Sequence, residues 1–328
     1  MNNKRFGLLW FLLFILFGII PTEVWGDSKT PRIGVLIRNA DQSDSQTVRG
    51  LRAGLRALGY QEDENLIIDV RNTRGVRGTL DKAAMELVGE KVDLIFAMGS
   101  SATRAAKKAT KKIPIVFRHP LDPVAMGLVK SMGPRQSNVT GVAGLSVQRA
   151  DTRLEIFKEI VPSLRRIIVF YDLYNPISRE HFSIAEVAAT NLGLHVLGKP
   201  VQSDRELKSS LTRFDKENGD GIYHVSDILV QSQADFIFSM ARQKRLPTMF
   251  GRSEWANRGS LAGYGPNNEE MGRQAASLID KILKGAKPGD LAIEPAKKFD
   301  LYINLRTAKV IRVSVPREVL RKADKVIR

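Results

Sequence analysis

Short β-branched segments alternate with amphipathic segments along almost the whole chain. Arg32–Ile37 is predicted to form a buried strand, and the apolar residues between Val48 and Leu58 recur at the spacing of one helix face. The same pair of elements then recurs up to residue 117. Strands that are joined by helices pair in parallel, because the helix returns the chain to the end of the sheet at which the preceding strand began. The alternation therefore predicts an α/β fold on parallel sheets.

A turn-rich segment interrupts this alternation at residues 133–138, and the extended segment 139–144 follows it. The alternation then restarts with a helix from Asp151, which indicates a second lobe of the same kind. A chain of roughly 300 residues beyond the leader also exceeds what one hydrophobic core usually holds. We therefore predict two doubly wound, Rossmann-like lobes.

The first residues have the pattern of an export signal. Lys4 and Arg5 precede an apolar run over residues 8–20, which is shorter than the ~20 residues that span a membrane. This pattern predicts a cleavable secretory signal peptide over residues 1–26. Because the chain has no cysteine, it can carry neither a disulfide nor a lipid on an N-terminal cysteine. We expect a periplasmic protein that is not a lipoprotein.

The chain is strongly basic, with a formal net charge of +16. In a cytosolic protein such a charge would indicate nucleic-acid binding. Here the basic residues are spread over predicted helix faces, and export would remove that partner. We interpret the basic residues as a solvated surface, and the alternative is attraction to anionic membranes. We expect no nucleic-acid partner.

Polar side chains recur where the predicted strands end. In open parallel sheets, ligands bind beyond the carboxyl ends of the strands, where helix N-termini offer free N–H groups. The positions found in this way include His119, Asp172 and Arg252. The ten that we predict to bind a ligand are Arg38, Asn39, Ser100, Ser101, Asp122, Tyr171, Ser226, Asp227, Glu254 and Tyr264.

Each of these residues also has a purely structural interpretation. Ser100 and Ser101 open a predicted helix, so they could bind a carboxylate or simply cap the helix. Asp122 and Asp227 could likewise be caps or could each bind an ammonium group. The aromatic residues at strand ends, Tyr171, Tyr264 and Trp255, could flank a ligand or fill core space.

Signatures of catalysis are missing from the sequence. It contains no G-x-S-x-G, no H-E-x-x-H, no Walker loop and no G-x-G-x-x-G behind the first strand. His119 has no cysteine or second histidine at metal-ligand spacing beside it. We predict no enzyme activity, no metal and no cofactor. The alternative is a periplasmic enzyme that uses Asp122, His119 or Glu254 as acid and base.

Several segments, in this order, resemble one family, the substrate-binding proteins of ABC transporters, and within it the tryptophan/tyrosine-binding-protein-like group. The resemblance covers nearly all of the chain beyond the leader. It is carried by GLRALGY (54–60), KVDLI (91–95), KKATKKIPIVF (107–117), DPV (122–124), GLV (127–129), NVTG (138–141), YG (264–265), DKILKGAKP (280–288) and INLRTAK (303–309).

The resemblance implies a type I periplasmic binding fold, in which three chain crossings join two lobes that close over a ligand. On that basis we expect lobe 1 to comprise residues 31–146 and 264–288, and lobe 2 residues 147–263 and 289–328. Members of the family commonly have Gly-Thr-Pro-Ala after the third strand. This chain has Ser100 and Ser101 in place of Thr-Pro, which keeps a hydroxyl and loses the proline.

The expected function is therefore the extracytoplasmic solute-binding component of an ABC importer, a monomer whose partners are a small amino-acid-like or carboxylate ligand and an inner-membrane permease. A ligand carboxylate is expected at Ser100 and Ser101, and an amino or hydroxyl group at Asp122, Asp227 or Glu254. The alternative is a periplasmic solute sensor for a membrane receptor. A transcription regulator of similar core would need a helix-turn-helix where this chain has its leader.

Overall fold

The computed structural model describes residues 30–38, 42–76, 78–119, 121–134, 136–214 and 219–328. The predicted signal peptide and Asn39 lie outside these described residues. The strands are β1 Arg32–Ile37, β2 Ile67–Asn72, β3 Leu94–Met98, β4 Ile115–His119, β5 Val139–Ala143, β6 Arg166–Asp172, β7 His195–Val201, β8 Gly221–Tyr223, β9 Thr248–Phe250, β10 Ala262–Pro266, β11 Glu294–Pro295, β12 Phe299–Asn304 and β13 Lys325–Ile327.

The α-helices lie between these strands, as the alternation in the sequence predicts. They are α1 Gln42–Ala57, α2 Thr79–Gly89, α3 Gly99–Ala109, α4 Ala150–Ile160, α5 Pro176–Asn191, α6 Asp204–Arg213, α7 Ile228–Ser232, α8 Ala234–Gln243, α9 Trp255–Arg258, α10 Asn268–Leu283, α11 Leu305–Ile311 and α12 Arg317–Lys322. Among the described residues, none of these helices is long and apolar enough to cross a membrane.

Two separate sheets organise the molecule. The first has the strand order β11-β5-β4-β3-β1-β2, and all its pairings are parallel. The second has the order β13-β12-β10-β9-β8-β6-β7, in which only the pairing of β10 with β12 is antiparallel. The prediction of a two-lobed α/β fold on parallel-rich sheets is confirmed.

Each sheet is covered by helices on both faces, so each lobe has its own core. The strands β3 and β4 are buried at every residue, whereas the edge strand β2 is partly exposed. The difference agrees with the sequence, because central parallel strands are covered on both faces and consist of continuous apolar runs. Two buried apolar clusters flank the first sheet and two flank the second.

The chain passes between the sheets three times, after β5, after β10 and after β11. Two of the predicted lobe boundaries are shifted by these pairings. Residues 264–266, expected in lobe 1, belong to the second sheet, because β10 pairs with β12 as far as Pro266. Residues 294–295, expected in lobe 2, extend the first sheet, because Glu294 pairs with Val142. A two-residue edge strand that contains proline leaves no pattern in the sequence.

Two consecutive helices lie between β8 and β9. Residues 228–242 form two helices, α7 and α8, and Gln233 lies between them. The Gln233 N–H donates to the carbonyl of Val230, a three-residue spacing that tightens the last turn of α7.

Candidate functional site

A cavity of about 240 Å³ lies between the two lobes, and both lobes line it. Lobe 1 provides Ser100, His119, Leu121 and Met126. The remaining lining residues are Ser146, at the first crossing, and Asn175, Ile177, His224, Ser226, Asp227, Ile228, Gln231, Gly251 and Arg252 from lobe 2. The volume is just below the range of about 300–1,000 Å³ that is usual for small-molecule sites, so the cavity suits a small solute.

On the lobe 1 side, the N-terminus of α3 meets the cavity at Ser100. The helix starts directly after β3, through Gly99 with a φ of +82°. No side chain caps this helix at Met98, so the N–H groups of its first turn are not satisfied by a cap. A helix start of this kind attracts anionic groups, through its free N–H groups and its dipole.

His119 ends β4 and is buried on the same wall. Burial lowers the pKa of His119 to about 4, and the nearby Arg118 and Arg104 add to that effect. The Leu121 N–H donates to its Nδ1 at 3.1 Å. The ring is therefore neutral near pH 7, and its proton is on Nε2.

On the lobe 2 side, Asp227 is buried behind the end of β8. Its Oδ1 accepts from the Val230 N–H at 2.8 Å and so caps α7, while its Oδ2 accepts from the Asp172 N–H at 3.3 Å. Its neighbour Ser226 also lines the cavity, and the Ser226 carbonyl accepts a hydrogen bond from His181 Nδ1 at 2.8 Å. Asp227 thus combines the capping role with a place on the cavity wall.

Arg252 brings the opposite charge to the same cavity. Its Nε lies 3.8 Å from Glu254 Oε2, and its guanidinium lies 5.8 Å from the centre of the Trp255 ring. Asp227 and Arg252 are the two residues of opposite charge on the described cavity wall. The cavity is therefore suited to a ligand that carries both charges.

Two predicted carboxylate partners of the ligand lie elsewhere. Asp122 is absent from the cavity lining, and its Oδ1 accepts from the Val124 N–H at 2.7 Å while its Oδ2 accepts from Gln148 at 3.1 Å. Glu254 is buried, and its Oε1 accepts from the side chain of Asn268 on α10. These local and interlobe hydrogen bonds account for both residues without a ligand. His119 does not meet either of them in the cavity as an acid and base pair would require.

Other predicted residues also lie outside the cavity lining. Tyr171 stacks on Phe182 with 4.3 Å between ring centres, and Tyr264 stacks on Phe299 at 5.7 Å. Both aromatic side chains therefore pack in lobe 2, as does Trp255. Arg38 is exposed, and Ser101 is half-buried next to Ser100. Of the predicted ligand-binding residues, the cavity brings together Ser100, Ser226 and Asp227.

Several lining residues were not predicted from the sequence. His224 lies one residue beyond β8 and is almost fully buried, and Leu121, Met126 and Ile177 provide apolar surface. The sequence predicts a strand over residues 221–225, which includes His224, so a search at strand ends did not select this residue. The apolar residues lie in loops and at a helix start, where the sequence carries no such signal.

A larger groove of about 500 Å³ runs along α1 on the outside of lobe 1. Three arginines line it, and two of them pair with neighbours, Arg49 with Glu269 and Arg52 with Glu62. The described residues that line this groove all belong to lobe 1, whereas residues of both lobes line the cavity. The cavity between the lobes is the better candidate for the functional site.

Comparison with known proteins identifies the family. The family model of the ABC transporter substrate binding protein matches residues 32–327. The tyrosine-binding protein of Clostridioides difficile (strain R20291) is 28% identical over 287 residues, which are 87% of this chain and 82% of that protein.

Two solved structures are similar to this chain over most of its length. The ABC domain in complex with L-Trp from Streptococcus pneumonia is 26% identical, with a TM-score of 0.78 over 91% of this chain and 100% of that one. A conserved domain protein from Vibrio cholerae is 29% identical, with a TM-score of 0.77 and the same coverage. The chain belongs to the ABC transporter substrate binding protein family and is the substrate-binding component of an ABC transporter, a binder and not an enzyme.

Proposed function

We propose that this protein captures an α-amino acid outside the cytoplasm and delivers it to the permease of its transporter. The observation that carries this proposal is the pair of opposite charges, Asp227 and Arg252, on the wall of one small cavity between the lobes. An amino acid carries an ammonium and a carboxylate at neutral pH, and the two side chains offer one partner for each. Neutral sugars have no such pair of charges.

The ligand carboxylate is assigned to Arg252 and to the start of α3 at Ser100. A guanidinium can donate two parallel hydrogen bonds to a carboxylate, and the helix N-terminus adds N–H groups and a favourable dipole. The ammonium is assigned to Asp227, whose carboxylate is buried on the lobe 2 wall. Desolvated charge-assisted hydrogen bonds of this kind are stronger than those between neutral groups.

The side chain of the ligand is assigned to the apolar part of the cavity. Leu121 and Met126 come from lobe 1, and Ile177 and Ile228 come from lobe 2. Burial of apolar ligand surface there contributes affinity at roughly 25 cal/mol per Å². The tyrosine-binding relative and the relative with bound L-Trp support an amino acid with a large side chain.

Lobe closure is the proposed mechanism of capture. Ile228 lines the cavity and is nevertheless 77% exposed, which is unusual for an isoleucine. Movement of the lobes about the three crossings would cover Ile228 and the ligand together. A liganded, closed form then differs in surface from the open form, and the permease can distinguish the two. Residues 1–26, as the proposed export signal, would bring the protein to the periplasmic side.

Replacement of one carboxyl group tests the ammonium assignment. In Asp227→Asn the amide oxygen can still cap α7, because asparagine caps helices as well as aspartate does, but the charge is lost. We expect the affinity for the amino acid to fall at least about tenfold, since the ammonium is left without its charged partner. Isothermal titration of residues 27–328 against a panel of amino acids would measure this.

Asp122→Asn is the matched control. Asp122 also accepts hydrogen bonds from backbone N–H groups at the start of a turn, but it does not line the cavity. We expect the affinity of the Asp122→Asn variant for the amino acid to equal that of the wild type. Equal affinity of the Asp227→Asn variant and the wild type would contradict the assignment, and absence of binding to every amino acid by folded wild type would contradict the proposed function.

A further inference from the structure

His224 occupies a fixed place in the cavity wall. The residue is 3% exposed, and its ring stacks on Phe250 with 4.5 Å between ring centres and an angle of 11°. Its backbone N–H donates to Met249 at 2.9 Å, and its carbonyl accepts from Arg153 at 3.4 Å. The stack covers one face of the ring, and the burial of the residue keeps the ring out of solvent.

Both ring nitrogens of His224 lack a hydrogen-bond partner among the described residues. A buried polar group without a partner costs about 1–3 kcal/mol, so native proteins rarely leave one. His224 is also one of the residues that line the cavity between the lobes. A ligand that binds in this cavity is therefore placed to supply the partner that is missing within the protein.

The chemistry of that partner follows from the state of the ring. Burial lowers the pKa of His224 to about 3, and the nearby Arg153, His181 and Arg252 act in the same direction. A neutral imidazole offers one N–H donor and one nitrogen acceptor. His119, across the cavity, is also neutral and has a donor at Nε2 that its contact with Leu121 leaves available.

We propose that His224 recognises a neutral hydrogen-bonding group on the side chain of the bound amino acid, such as a phenol hydroxyl, an indole N–H or a carboxamide. The inference rests on the proposed function, which assigns the two charged ligand groups to Asp227, Arg252 and Ser100. A neutral ring is a poor partner for either charge and a good one for a neutral polar group. His224 is thus a residue that determines specificity on the cavity wall.

Matched pairs of amino acids test the inference. The pairs are tyrosine with phenylalanine, tryptophan with 1-methyltryptophan, and glutamine with methionine, each with similar size and with or without the polar group. We expect the wild type to prefer the polar member of at least one pair by about tenfold or more, because its absence leaves a buried imidazole unpaired. In His224→Phe, which keeps the stack on Phe250, that preference should disappear.

His224→Gln is the conservative variant, since its amide keeps a donor and an acceptor, and it should retain part of the preference. Binding of the polar member should also move the ¹⁵N resonances of the His224 ring, which a purely structural ring would not show. An unchanged preference in His224→Phe, or unmoved ring resonances on binding, would overturn the inference and leave the proposed function intact. Failure of the folded wild type to bind any of the six compounds would instead count against amino-acid capture itself.

Discussion

At the scale of single residues, the buried histidines are the most informative feature. His119 is the last residue of β4 and His224 lies one residue beyond β8, and burial holds both rings neutral. Their surroundings differ, since the Nδ1 of His119 accepts from Leu121 while His224 has no protein partner for its ring among the described residues. The same property that suits His224 to a neutral ligand group also makes folding sensitive to acid.

We predict that the free energy of unfolding falls as the pH is lowered through the range 7 to 5. The unfolded chain takes up protons on histidine below its ordinary pKa of 6.5, whereas the folded chain does not do so until the pH nears the lowered pKa of about 4 for His119. His119 alone should cost about 2 kcal/mol between pH 7 and pH 5. Urea unfolding at a series of pH values measures this loss.

The His119→Gln variant is the comparison for this experiment. A glutamine cannot titrate, so its unfolding free energy should depend less steeply on pH over the same range. The remaining dependence includes His224, whose pKa is lowered to about 3 and which acts in the same direction. Identical slopes for the variant and the wild type would show that His119 titrates alike in the folded and unfolded chain.

At the scale of elements, the packing of α1 against α10 depends on glycine. A Cβ at Gly50 would lie 1.9 Å from the Glu269 carbonyl oxygen, and one at Gly272 would lie 2.2 Å from the Thr47 carbonyl oxygen. Both obstacles are backbone atoms, which cannot turn away as a side chain could. This contact holds α10 on lobe 1, although α10 follows a strand of the second sheet.

Gly50→Ala should therefore destabilise the protein. Alanine favours a helix over glycine by about 1 kcal/mol, but overpacking against a backbone costs more, and we expect a net loss of about 2 kcal/mol. Gly89→Ala is the matched control, because Gly89 also lies in a helix, α2, and a Cβ added there would meet no atom within 4 Å. The control should be neutral or stabilising in urea unfolding, and equal effects of the two changes would contradict the packing argument.

At the scale of the whole molecule, the lobes are joined by side chains as well as by the three crossings. Glu254 lies in lobe 2, and its Oε1 accepts a hydrogen bond from Asn268 at the start of α10 on lobe 1. Its other oxygen, Oε2, has no hydrogen-bond partner among the described residues and lies 3.8 Å from Arg252. Because Arg252 also lines the cavity, this link connects the start of α10 to the cavity between the lobes.

We predict that Asn268→Ala lowers the free energy of unfolding by about 2 kcal/mol, since it removes the donor of a buried carboxyl group. Asn257→Ala is the control, because Asn257 is exposed and its side chain accepts an exposed hydrogen bond from Lys325. The control should change stability by less than about 0.5 kcal/mol. Equal midpoints in thermal unfolding of the two variants would argue against the link between the lobes.

The sequence by itself determined the two-lobed α/β fold, because the periods of strands and helices are local and each element carries its own pattern. It also predicted Ser100, Ser226 and Asp227, which the structure places on the cavity wall, since the ends of parallel strands can be found one at a time. Asp122 and Glu254 had the same local signal, yet the structure places both outside the cavity lining, where they accept hydrogen bonds in a turn and from Asn268.

Only the tertiary structure decided which strand ends meet in the cavity. Leu121, Met126 and Ile177 lie in separate lobes or loops, and His224 is distinguished from other buried histidines by its unpartnered nitrogens among the described residues. These properties depend on contacts between residues far apart in the chain and on the placement of one lobe against the other. Local patterns in a sequence do not encode such distances, whereas the packing of the two cores fixes them.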